Sequence, residues 1–335
     1  MNRSLAMLAG LALAAVLGLP AEAGLKLRVT LQLPISSHLG QNLLLFKDRV
    51  VAASDGEIEI EIYPSAQLFT DKEVPLAVAS GQIEMGVASL ARFAGTIPAV
   101  DIFNVPFLFN TEALVRAATA PGSPVRAPLD EAMVAKGARP LWWQPYGQAV
   151  LLMREVIVRR PGDLAGLKIR TFGKALEGFV NALDGAAVNI SGSRQFLAYE
   201  RGTVDGGTTG LIGVRERKLY QVLDTITLTN HTDIEFIVII NEALWQGLEP
   251  AQRTILTTAA RIAEEDLRDR FPALEEEARD LAVDNGMEVI TLSGDDIAAW
   301  RKATAPLAAT YVEAAGPLGA RLLDAARTLP ATAGD

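Results

Sequence analysis

No cysteine occurs among the 335 residues, which excludes disulfides and thiolate metal sites. Histidine is nearly absent: His38 and His231 are the only two, far apart in the chain. No H-E-x-x-H pair, G-x-S-x-G elbow or G-x-x-x-x-G-K-[ST] phosphate loop is present. The glycine-rich run Gly202 to Gly213 lacks the G-x-G-x-x-G spacing and follows a helical pattern where a dinucleotide loop follows a strand. This inventory supports no enzyme, and no catalytic residue, metal ligand or cofactor is expected. Positive charge is also in deficit. Lys and Arg number 31 against 40 Asp and Glu, for a net charge of −9, which argues against nucleic acid as a partner. An anionic small molecule stays compatible with that balance, because salt screens surface charge beyond about 8 Å and one buried arginine outweighs it.

Long apolar runs are missing except at the start. Leu5 to Leu19 follows Arg3 and precedes Pro20-Ala21-Glu22-Ala23, an A-x-A pattern with cleavage expected before Gly24. The run is about 15 residues, short of the roughly 20 that cross a bilayer. Residues 1–23 therefore read as a cleavable signal peptide, and with no cysteine to carry a lipid the mature protein is expected free in the periplasm. About 310 residues then remain, enough to bury about three quarters of the chain's surface in two cores.

What is there alternates between strand and helix patterns. Leu25 to Leu33 reads as a strand ended by Pro34, and Ser37 as the N-cap of a helix with Leu39, Leu43, Phe46 and Val50 on one face. Glu57-Ile58-Glu59-Ile60-Glu61-Ile62 has period two, a strand with one buried and one wet face. A helix at Asp71 to Ser80 and a strand at Ile83 to Ser89 complete the start of a mostly parallel α/β sheet. Arg139 to Trp143 and Ala149 to Met153 read as two strands around Pro145-Tyr146-Gly147. A second strand–helix–strand set begins near Gln148, and Ile234 to Ile240 reads as a strand running back into the first unit. Glu249 to Asn285 is a long helical stretch that Phe271-Pro272 should kink or break, and its acidic clusters Glu264-Glu265-Asp266 and Glu275-Glu276-Glu277 read as a solvated face. Two α/β lobes and a long bridging helix make a hinged clamp. The expected division is 24–147 with about 236–272 in lobe I, and 148–235 with about 273–330 in lobe II.

Arg170 ends the strand Leu167-Lys168-Ile169-Arg170-Thr171. In an α/β lobe ligands sit beyond the carboxyl ends of strands, and a guanidinium fork matches a carboxylate. Composition alone favours a surface arginine paired with Glu or Asp.

The family resemblance changes that weighing. Arg160-Pro161-Gly162-Asp163-Leu164-Ala165-Gly166-Leu167-Lys168-Ile169-Arg170-Thr171 resembles the "P-x-D-L-x-G-x-K-x-R" segment of the solute receptors of tripartite ATP-independent periplasmic (TRAP) transporters. Tyr63-Pro64-Ser65-Ala66-Gln67-Leu68, Gly81-Gln82-Ile83-Glu84-Met85, Val105-Pro106-Phe107-Leu108-Phe109, Gly202-Thr203-Val204-Asp205-Gly206 and Thr229-Asn230-His231 resemble further segments of that family, in its order and spacing. The resemblance implies a two-lobe periplasmic-binding-protein (Venus-flytrap) fold of the α/β class, a monomer that takes a small organic acid and docks on the membrane subunits of a TRAP transporter. It implies that Arg170 binds the ligand carboxylate. Gln32, Ser89, Arg92, Tyr146, Gln148, Phe172 and Thr209 are the other pocket positions carried over. Ser89 stands where sialic-acid receptors have glutamate, and Gly207-Thr208-Thr209-Gly210 replaces their "Q-E-N-P". The ligand is therefore expected to be a simpler keto-, hydroxy- or aromatic acid, or a C4-dicarboxylate if Arg92 or Arg154 reaches in. Two rivals stay open at this point: a receptor feeding a sensor kinase, and a periplasmic enzyme with Asp71 or Asp205 as base.

Overall fold

The computed structural model describes residues 24–330, so the expected signal peptide at 1–23 lies outside the described residues. In chain order the elements are β1 (Leu25–Thr30), α1 (His38–Ala53), β2 (Ile58–Tyr63), α2 (Val74–Ala79), β3 (Met85–Ser89), α3 (Glu112–Thr119), α4 (Arg126–Val134) and β4 (Ala138–Met153). There follow β5 (Lys168–Thr171), α5 (Lys174–Asn181), β6 (Ala186–Asn189), α6 (Gln195–Glu200), β7 (Gly206–Gly210), α7 (Ile212–Glu216) and β8 (Thr225–Thr227). The chain ends in β9 (Asp233–Asn241), α8 (Glu242–Gly247), α9 (Pro250–Asp284), β10 (Glu288–Ile290), α10 (Gly294–Thr304) and α11 (Leu307–Arg327). A 3-10 helix at Pro98–Asn104 connects β3 to α3.

The strands run in the order β2-β1-β3-β9-β4-β7-β5-β6, with β8 pairing β4 and β10 pairing β8. β1 is parallel to β2 and β3, and β5 is parallel to β6 and β7. Each parallel set thus presents its carboxyl ends on one edge. The sequence patterns explain the pieces. Ser37 caps α1 by accepting from the Gly40 amide at 3.1 Å, and the α1 stripe Leu39, Leu43, Phe46 and Val50 is fully buried. β2 pairs only with β1, and its alternating glutamates keep that edge wet.

β4 is a single strand where the sequence suggests two. Its first part pairs β9, and Ala149–Met153 pairs β7 and β8, so one strand serves both halves of the molecule. The register with β9 shifts at Pro140/Trp142 and at Pro145/Gly147, and these bulges accommodate two prolines that a regular ladder would reject. Gly147 sits at φ +83°, and a Cβ there would lie 2.1 Å from Glu275 Oε1, so only glycine fits the bend.

Trp142 and Trp143 are both fully buried, on opposite faces of β4. Trp142 packs on Phe46 and donates to Asn42, whereas Trp143 packs on Phe103 and donates to Asp130. Their faces define two cores: one with α1 and α9, the other with α2, the 98–104 turn, α3, α4 and α11. The other half packs around Leu152, Tyr199 and Ile226 on one face and Ile169, Phe179 and Trp300 on the other.

Three expectations need correction. The long helix continues through Pro272 as one 35-residue element. Proline leaves the Arg268 carbonyl without its helical donor, and Arg116 Nη2 donates to it at 2.5 Å. The acidic run Glu264-Glu265-Asp266 is not a uniformly wet face, because Glu264 is buried and takes Arg126 Nη1 at 2.5 Å. The C-terminal boundary also shifts. Tyr311, Leu322, Leu323 and Ala326 of α11 join the core built on the 98–104 turn, and Tyr311 donates to the Ala99 carbonyl at 3.0 Å. The stretch expected to stay with lobe II to residue 330 therefore returns to the first half after α10.

Candidate functional site

Where the two sets of strand ends face each other, a small cavity lies between them. Gln32, Asp71 and Ser89 line it from the first half. Tyr146, Ile234 and Phe236 come from the strands that cross between halves, and Arg170, Phe172, Gly192, Gln195, Thr209 and Arg217 from the second half. Gln32 lies two residues beyond β1, Ser89 is the last residue of β3, and Arg170 and Thr209 are near the ends of β5 and β7. This is the position at which open α/β sheets take ligands.

Arg170 is 2 % exposed. Its Nε donates to the Ile190 carbonyl and its Nη1 to the Thr208 carbonyl, both at 2.9 Å, and the guanidinium lies 5.3 Å above the Phe172 ring. Two backbone carbonyls and a ring fix the fork without neutralising it. Among the described residues no carboxylate oxygen lies within 4 Å of it. Burial pulls its pKa down to about 10, with Tyr199 and the more distant Asp71 opposing and Arg217 and Arg92 reinforcing the fall, so at neutral pH it is a buried cation without a direct ion-pair partner among the described residues.

Asp71 is different. Arg92 Nε donates to it at 2.7 Å, and the Ser191 hydroxyl donates to its other oxygen. Burial alone would raise this carboxyl, but Arg92 and Ser191 outweigh it and hold the pKa below the usual carboxylate range. A carboxylate held so firmly is poorly matched to general-base work. Asp205 is remote from the cavity: its carboxylate accepts the Lys168 amide at 2.7 Å, at the opposite end of β5 from Arg170. Contacts across the cleft hold the halves together. Ser191 reaches Asp71, and Arg92 Nη1 reaches Asn189 of β6 at 3.3 Å.

Of the eight pocket positions read from the sequence, Gln32, Ser89, Tyr146, Arg170, Phe172 and Thr209 are brought to the cavity wall. Arg92 is not; it reaches the cavity only through Asp71. Gln148 also turns away, donating to the Phe109 carbonyl at 2.9 Å and to Asp233 at 3.0 Å, because the bulge at Pro145/Gly147 re-aims the residues that follow. Arg154 lies beyond the site, half exposed beside Glu155. His38 binds protein: its amide and Nδ1 both meet Glu216 Oε1 at 2.6 Å, and Nε2 meets the Pro145 carbonyl at 3.0 Å. His231 is buried in the second half, stacked on Phe179 at 4.4 Å, and burial pushes its pKa down to about 3.

Sequence reasoning missed Gln195 and Arg217. Arg217 lies in the charged run Arg215-Glu216-Arg217-Lys218, which reads as a solvated turn and carries no signal of a cavity position. Among the described residues the Gln32 and Gln195 carbonyl oxygens and Arg92 Nη2 are buried without a partner, so polar groups in and behind the wall are left to be satisfied by whatever fills the space.

The model of the family described as bacterial extracellular solute-binding protein, family 7, matches residues 31–314. The C4-dicarboxylate-binding periplasmic protein DctP of Rhodobacter capsulatus is 27 % identical over 296 residues, 87 % of each chain. The 2,3-diketo-L-gulonate-binding periplasmic protein YiaO of Escherichia coli is 27 % identical over 247 residues, covering 73 % of this chain and 75 % of its own. Among solved structures, a TRAP periplasmic solute-binding protein from Sulfurospirillum deleyianum with bound succinate superposes with a TM-score of 0.86. It is 22 % identical, over 92 % of this chain and all of the other.

Proposed function

Because the chain belongs to family 7 of the bacterial extracellular solute-binding proteins, we propose that it is the extracytoplasmic receptor of a TRAP-type uptake system and that its cavity encloses a small organic acid. The observation that carries this reading is Arg170, a buried, immobilised guanidinium with no carboxylate oxygen within 4 Å among the described residues. A buried cation is costly unless paired, and an acid in the cavity completes the pair. Relatives named for C4-dicarboxylates and 2,3-diketo-L-gulonate support an acid of the keto-, hydroxy-, aromatic or C4-dicarboxylic class. The unpartnered carbonyl oxygens of Gln32 and Gln195 can accept from the hydroxyl of a hydroxy acid.

The mechanism is a shift of population between open and closed lobes. Lobe I comprises 24–147, 236–272 and α11; lobe II comprises 148–235 and 273–304. The ligand carboxylate meets Arg170 and Thr209 of lobe II while Gln32 and Ser89 of lobe I meet its other side. Those contacts coexist only when the lobes are closed, so binding favours closure. The chain crosses between lobes in β4, before β9, in α9 and between α10 and α11, few enough segments to hinge. The closed monomer docks on the membrane subunits and releases its cargo there. Residues 1–23 act as the export signal, and an N-terminal Gly24 on the exported protein checks that assignment.

Ligand-stripped protein is expected to melt higher with an acid of the right class and not with its primary amide. Ligand at 100-fold over its dissociation constant adds about 2.7 kcal/mol of stability. A thermal-unfolding series over organic acids and their amides measures this.

A further inference from the structure

A second arginine lines the cavity, held in a similar way to Arg170 but only partly buried. Arg217 follows α7 and lines the same cavity. Its Nη1 donates to the Gly192 carbonyl at 2.8 Å and its Nε to the Tyr146 hydroxyl at 3.4 Å. Both acceptors are neutral, and among the described residues no carboxylate oxygen lies within 4 Å of its guanidinium. The neighbouring Glu216 does not serve, because its carboxylate faces the His38 amide and ring. Each of the two arginines is thus held by Nε and Nη1 on neutral oxygens, and each keeps Nη2 uncommitted.

The charges around the cavity can be followed group by group. Asp71 is matched by Arg92 at 2.7 Å, and Tyr146 and Tyr199 are phenols whose pKa values burial pushes further up. Arg170 and Arg217 remain, two cations facing one enclosed space in a chain whose net charge is −9. Like charges gathered in a desolvated pocket repel unless an anion lies between them. A singly charged acid compensates one of the two.

We propose that Arg217 is a second anion-binding residue of this cleft, that it takes the distal acidic group of a short dianionic ligand whose first carboxylate lies on Arg170, and that it sets the preference for diacids over monoacids. This rests on the receptor reading above and narrows its ligand class. Neither Gln148 nor Arg154 competes for that role, since one is bonded elsewhere and the other is remote.

The test is isothermal titration of ligand-stripped protein with matched pairs: succinate and butyrate, glutarate and pentanoate, adipate and hexanoate. One desolvated charge-assisted pair corresponds to about 10- to 100-fold in affinity, and the wild type is expected to prefer the diacid of its best pair by that factor. Arg217→Gln should bring the diacid down to the level of the monoacid while moving the monoacid by less than about threefold. Arg217→Lys, which keeps the charge and loses the fork, should recover part of the preference and guards against a misfolded Gln variant. Arg170→Gln should weaken both members of each pair. Equal loss of mono- and diacid in Arg217→Gln overturns the proposal, as does a wild type that binds both members alike, with the receptor reading left standing. If the wild type binds neither acid of any pair, the receptor reading for this ligand class falls and the Arg217 assignment falls with it.

Discussion

Replacing Arg170 with alanine is expected to abolish ligand binding while leaving the fold intact. The guanidinium lies on two main-chain carbonyls at 2.9 Å and over the Phe172 ring, so the protein has already met the cost of orienting it. A ligand carboxylate then gains charge-assisted hydrogen bonds worth about 1.5–3 kcal/mol each. Two such bonds correspond to a loss of roughly 10²- to 10⁴-fold in affinity on truncation. Because the residue makes no ion pair in the protein, its removal strands no buried carboxylate. Melting of the unliganded variant should therefore stay close to that of unliganded wild type. Titration calorimetry and thermal unfolding together check this, and an Arg170→Ala protein that binds acids within tenfold of wild type contradicts it.

The second large effect concerns stability. Arg268 on α9 meets Glu235 on β9 through two parallel bonds, Nη1 at 3.0 Å and Nη2 at 2.9 Å, with the Glu235 side chain fully buried. Arg268→Ala leaves that carboxylate buried without its partner, which costs about 3–5 kcal/mol. The melting temperature should fall by roughly 10 °C. Replacing both partners with apolar groups of similar size, Arg268→Met with Glu235→Leu, should return most of the loss, since paired buried charges repay little beyond their own desolvation. Denaturant unfolding of the two variants checks the pair, and a single-variant loss under about 1 kcal/mol would mean the pair behaves as a surface bridge. The same pair fastens the bridging helix to lobe I, so ligand affinity in Arg268→Ala should be read only where the variant is folded.

Local chemistry made several elements legible in the sequence. The Glu-Ile alternation from Glu57 to Ile62 became β2, Ser37 became the cap of α1, and the apolar strand ending in Arg170 became β5. Those features are encoded within a few residues of one another. Features set by partners distant in the chain were not legible. β4 reads as two strands because its prolines forbid a regular ladder, and only the bulges against β9 reconcile them. Pro272 reads as a break because the sequence does not reveal that Arg116, 152 residues before Arg268, supplies a donor to the freed carbonyl. Glu264 reads as solvated because its partner Arg126 lies 138 residues away.

The site divides in the same way. Arg170, Ser89 and Gln32 mark strand ends, which are visible in an apolar pattern, while their place in the pocket came from the family resemblance. Arg217 stands among Arg215, Glu216 and Lys218 in a run that looks uniformly wet. Only the packing of α7 against the crossing strands separates the one side chain that lines the cavity from its neighbours. Gln148 shows the opposite failure. Its place on the crossing strand suggests the pocket, and the bulge two residues earlier turns it to Phe109 and Asp233.

On the proposed function, this positively charged cavity recognises an organic acid through its carboxylate. The most direct test is titration of ligand-stripped wild-type protein with an acid and with its primary amide, which have nearly the same shape and differ in charge. The acid is expected to bind and close the lobes, with the amide weaker by about 100-fold or more. Equal binding of acid and amide, or binding of neither across the keto-, hydroxy-, aromatic and dicarboxylic series, would contradict it.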